Sequence, residues 1–61
     1  MDIQLAVKSR VLEICEQKQI DPERFPVLLD ATRDKPLEEI DEFCIDAGID
    51  VADFFNAAIF L

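Results

Sequence analysis

Three prolines and one glycine constrain this chain more than any other feature. Pro22, Pro26, Pro36 and Gly48 cut it into segments in which apolar residues recur at steps of three and four, and no segment has the two-residue alternation of a strand. Ile3, Val7, Val11, Ile14 and Cys15 predict a helix from Ile3 to about Lys18, with Leu5 and Leu12 widening the stripe and Asp2 placed as N-cap. Asp21-Pro22-Glu23 is a helix-start signal, with a capping carboxylate followed by Pro at the first helical position. The element it opens, Pro22 to about Thr32 with the stripe Phe25, Leu28 and Leu29, is disturbed by Pro26: either its first turn is distorted or it begins near Pro26. Pro36 opens a third helix in which Leu37, Ile40, Phe43, Cys44 and Ala47 form one narrow apolar face. Gly48 follows where a helix end wants a positive φ, and Ile49 stands where the accompanying apolar contact falls. Asp50 is placed to cap a last helix, Val51 to about Ile59, with Asp53 in the capping-box position and Val51, Phe54, Phe55 and Ala58 facing inward. Residues 1–61 therefore make a single small all-α domain, a compact bundle of three to four short helices.

Charge sharpens this picture. The net charge is -8, from 14 acids against 6 bases. Residues 1–20 balance Asp2, Glu13 and Glu16 against Lys8, Arg10 and Lys18. Beyond Lys35 stand Glu38, Glu39, Asp41, Glu42, Asp46, Asp50 and Asp53 with no base among them. That acidity disfavours direct nucleic-acid binding, which draws its affinity from Lys and Arg displacing counterions. Glu38, Glu39, Asp41, Glu42 and Asp46 fill the polar side of the third helix. They form either a solvated face that keeps a small protein in solution or a surface for a basic partner.

The chain has no His, Tyr or Trp and a single Ser, Ser9, so most of the usual nucleophiles and bases are missing and no catalytic residue is assigned. Helix capping accounts for Asp50 and Asp53 without chemistry. No cofactor is implied, and two widely separated cysteines, Cys15 and Cys44, are too few for a metal site. With no basic and apolar leader before them, they read as buried thiols of a cytoplasmic chain. No apolar run reaches the ~20 residues of a membrane span.

A core this small is marginal, since about 60 residues bury only about 60% of the unfolded surface. The tail Ala57-Ala58-Ile59-Phe60-Leu61 is apolar on every side. One flank of it is expected to return to the core or to meet another chain, as in a homodimer.

The run Pro36-Leu37-Glu38-Glu39-Ile40-Asp41-Glu42-Phe43-Cys44-Ile45-Asp46-Ala47-Gly48-Ile49-Asp50-Val51-Ala52-Asp53-Phe54-Phe55-Asn56 resembles the last two helices of Cro/CI-type (XRE, lambda-repressor-like) helix-turn-helix domains. Ala6 to Asp21, with Arg10, Ile14 and Cys15, resembles the first helix of the same family and the turn after it. Together these stretches cover about two thirds of the chain. The resemblance implies a repressor-like bundle with a truncated helix-turn-helix region. Ile20 and Pro36 are only sixteen positions apart, and neither a Gly-bearing turn nor the Ser/Thr/Gln-rich start of a recognition helix lies between them. Val27 to Pro36 looks like the end of a recognition helix joined directly to the start of helix two. What remains is the part such a family uses for packing.

Four functions compete. The first is a non-catalytic regulatory module that binds a basic DNA-binding protein or nuclease, as an antirepressor or a DNA mimic of phage or mobile-element type. Its contact would be either the acidic face or an apolar tail face of Phe54, Phe55, Ile59, Phe60 and Leu61. The second is a degenerate XRE-type regulator that binds DNA as a dimer through Lys8, Arg10, Lys18, Arg24, Arg33 and Lys35. The third is an enzyme, which the composition disfavours. The last is a deletion or redesign of a repressor-like domain with no function of its own.

Overall fold

Gln19 and Gly48 stop the two long helices by the same device. The computed structural model describes residues 3–30 and 37–60. In it α1 runs over Ile3–Lys18 and α3 over Leu37–Ala47. Behind α1, Gln19 adopts φ 58° and the Ile20 N–H donates to the Cys15 carbonyl at 2.9 Å. Behind α3, Gly48 adopts φ 72° and the Ile49 N–H donates to the Cys44 carbonyl at 3.0 Å. Each is a Schellman-type end in which the following isoleucine packs on the core. The Gly48 end follows the expectation from sequence. The Gln19 end carries no glycine to announce it.

Between these helices the two alternatives for Pro26 are both realised. Pro22–Arg24 form a single 3-10 turn whose Glu23 N–H donates to the Asp21 side chain at 3.0 Å. Phe25 then turns the chain (φ -127°, ψ 62°), and the short α2, Pro26–Leu29, begins at the second proline. α2 stops at Asp30, whose extended backbone ends it before the expected Thr32, a residue outside those described. Asp2, the expected cap of α1, and Pro36, the expected start of α3, also lie outside them. After Asp50, α4 spans only Val51–Phe55. Asn56 (φ -87°, ψ 68°) breaks it, and a separate 3-10 turn follows at Ala58–Phe60 where a continuous helix to Ile59 was expected. Asp50 has the extended backbone of an N-cap and its carbonyl accepts from Phe54, but its side chain makes no capping bond.

The core is Val7, Val11, Ile14 and Cys15 of α1, Leu28 of α2, Ile40, Phe43, Cys44 and Ala47 of α3, and Phe54 of α4. Val11, Phe43 and Phe54 expose none of their surface. All five phenylalanines are strung through it: Phe25 meets Phe43 edge-on at 4.8 Å, Phe43 meets Phe54 at 5.9 Å, and Phe55 and Phe60 close on Phe54 at 4.9 and 6.0 Å. The radius of gyration is 10.4 Å, the ~10.5 Å expected of a compact domain of this length. Among the described residues there is no strand, and no buried charged or polar residue interrupts the core. The fold is the small all-α bundle expected from the sequence.

Candidate functional site

α3 shows how one helix can serve the core and a surface at once. Its 3.6-residue period turns Ile40, Phe43, Cys44 and Ala47 inward, and all four are buried. The remaining positions of the helix form its outer half. Glu38, Asp41, Glu42 and Asp46 are exposed there and Glu39 is half-exposed, so the five predicted acids share one continuous face. No base stands on α3 or α4 to neutralise it. One cation reaches across from another element: Arg24 lies 3.8 Å from Asp46, with both side chains largely in solvent, a contact of little energy.

Two residues on this face were misread or missed. Leu37, assigned by its spacing to the inner face, is 65% exposed. It occupies the first position of α3, at the edge of the buried sector, where the core no longer reaches it. Ile45 is 70% exposed, the largest exposure among the described large apolar residues. Helical arithmetic places it one turn beyond Asp41 and two beyond Leu37, on the outer side. Leu37, Glu38 and Asp41 with Val51 at the start of α4 line an open groove of about 510 Å³. The acidic face therefore has an apolar floor.

The apolar tail fares differently. Phe54 is fully buried and presents nothing to a partner. Phe55 and Phe60 are half-buried and pack on Phe54 and on each other, with Phe55 and Phe60 5.0 Å apart. Ile59, 40% exposed, faces a small recess shared with Ser9, Arg10 and Glu13. Leu61 lies outside the described residues. Of the described tail contacts Phe54, Phe55, Ile59 and Phe60, Ile59 alone keeps substantial exposure; Ala58, expected to face inward, is also exposed.

The bases are also placed. Arg10 donates through Nε to the Phe54 carbonyl at 2.8 Å and through Nη2 to the Asp53 carbonyl at 2.9 Å, and it pairs with Glu13 through Nη1. Its planar fork thus ties the end of α4 to α1, giving the Phe54 carbonyl a donor and the Asp53 carbonyl a second one beside the Asn56 N–H. Its side chain is only 14% exposed. Sequence spacing gave no sign of this lock, because it joins residues more than forty positions apart. Arg24 sits over the Phe25 ring at 5.7 Å. Arg33 and Lys35 lie outside the described residues.

Cys15 and Cys44 are buried, unbridged thiols. Burial raises the pKa of both. Asp21 adds to the rise at Cys15, and Asp41 and Asp50 add to it at Cys44, where Arg10 opposes them. A neutral buried thiol is a poor nucleophile and metal ligand. Among the described residues no cluster of three or more His, Cys, Asp or Glu side chains could hold a metal ion, and no helix is long and apolar enough to cross a membrane. No protein-family model, no curated protein and no solved structure matches the chain.

Proposed function

We propose that this chain is a non-catalytic regulatory module that binds a basic protein through the outer face of α3. The observation that carries the reading is that five acids line one side of α3 with, among the described residues, a single weakly held cation, Arg24, against them. Self-repulsion along such a face costs stability, and a cationic partner would relieve it while gaining on-rate from the long-range field. The resemblance of α1 and of the α3–α4 stretch to repressor-like domains favours a DNA-binding protein or nuclease as that partner, with the carboxylates standing in for phosphates. The return of Phe60 to the core argues against exchange of the tail between subunits as the means of action. The commitment of Arg10 to α4 leaves the alternative, DNA binding by a dimer, with fewer cations.

The test is affinity capture from the native host with the wild-type chain and with a variant carrying Glu38→Gln, Asp41→Asn and Glu42→Gln. A basic nucleic-acid-binding protein retained by the wild type, released at about 500 mM salt and lost by the variant is the expected result. Retention of the same proteins by both chains would sink the proposal. A low-salt mobility shift of random duplex DNA by the protein alone would instead favour the regulator.

A further inference from the structure

We infer that the groove between the starts of α3 and α4 seats the apolar side chains of a basic amphipathic helix. The inference rests on the partner class proposed above and adds how that partner is held. Leu37 exposes 65% of its surface at the start of a helix whose outer positions mostly carry acids, and it forms the floor of the groove. Val51, half-buried, supplies the opposite apolar wall, and Glu38 and Asp41 form the rim. An apolar floor ringed by one sign of charge is the complement of a helix with leucine-like residues at steps of three and four, flanked by Lys or Arg. The floor supplies residence time by shedding water, and the rim supplies orientation.

The other occupants fit less well. A second copy would bring Glu38, Asp41 and Glu42 against their own equivalents, placing like charges together in a partly dry interface. The tail of the chain itself is engaged elsewhere, with Phe60 on Phe54 and Phe55, and Ile59 beside Ser9 and Glu13 of α1. Among the described residues of this rim an anionic ligand or membrane surface meets only carboxylates.

The test uses two labelled peptides of about 18 residues, five helical turns: one with Leu at helical spacing among Lys, and one with each Leu replaced by Ala. Binding is followed by fluorescence anisotropy and by amide shifts of the protein. The Leu/Lys peptide is expected to bind and to shift amides from Leu37 to Ala52, and the Ala/Lys peptide to bind about tenfold more weakly or worse. Leu37→Ser, at an exposed groove position, is expected to weaken the Leu/Lys peptide about tenfold. Leu5→Ser and Leu12→Ser, on the outer side of α1, leave it unchanged. Equal affinity for the two peptides, or equal loss from the α1 variants, overturns the groove while leaving the acidic face standing. If neither peptide binds at low salt, the acidic-face reading falls with it.

Discussion

α1 and α3 contribute nearly equal shares of the core and end in the same hydrogen-bonded device, yet their outer faces have little in common. α1 shows solvent a mixture of Ile3, Leu5, Leu12, Glu13, Glu16 and Lys18, in a segment whose charges balance. α3 shows five acids and two bare aliphatic side chains. Both helices satisfy the same packing demands, so packing does not account for the difference. What sets α3 apart is its unbalanced charge, the feature on which the proposed partner rests, whereas α1 spends Arg10 on holding α4.

The sharpest way to break this comparison is at the point where α3 meets everything else. Phe43→Ala removes a fully buried ring wedged between Phe25 and Phe54 and should cost about 3–5 kcal/mol. A domain of this size holds only roughly 3–9 kcal/mol in total, so circular dichroism at 25 °C should show a largely unfolded chain. On the α1 side, Arg10→Ala leaves the Asp53 and Phe54 carbonyls without their charged donor. A loss of about 1.5–3 kcal/mol in urea unfolding is expected, with faster amide exchange in α4. Arg10→Lys should recover little of it, because an ammonium lacks the planar fork. An unchanged unfolding midpoint for Arg10→Ala would show that α4 does not depend on α1.

The two helix ends offer a matched pair. Gly48→Ala meets open space, so its cost is confined to the left-handed backbone, about 1 kcal/mol. Gln19→Gly relieves the same strain at φ 58° and should stabilise by a comparable amount, less the flexibility glycine adds to the unfolded chain. Equal and opposite shifts in thermal midpoint would confirm that the ends are equivalent. The smallest effect is expected at Glu42→Gln. Removing one acid from a crowded row should leave stability unchanged or raise it by roughly a few tenths of a kcal/mol. A clear loss would mean that the acidic face serves the fold after all.

Much of this fold was legible because period and punctuation act locally. α1 and α3 have the expected extents among the described residues, and Gly48 ends α3 as its lack of a Cβ allows. Legibility failed where a residue answered to distant neighbours. Leu37 matched the inner stripe by spacing, but whether a stripe residue is buried depends on how far the rest of the core extends. Phe54, Phe55 and Phe60 read equally well as a sticky tail and as core, since composition records that apolar surface must be covered and not by what. The acids of α3 were visible as a face, whereas the groove beneath them needed Val51 brought alongside Leu37.

The sequence by itself determined the helical class, the main helix segments, the inward residues Ile40, Phe43, Cys44 and Ala47, and the concentration of acid after Lys35, because each depends on spacing within a single helix or on composition alone. Only the tertiary structure decided that Arg10 is a clasp and not a free cation, that the tail folds back, and that Leu37 and Ile45 face outward. These outcomes depend on which surfaces meet across long sequence separations, and burial is a property of the assembled core that no single segment carries.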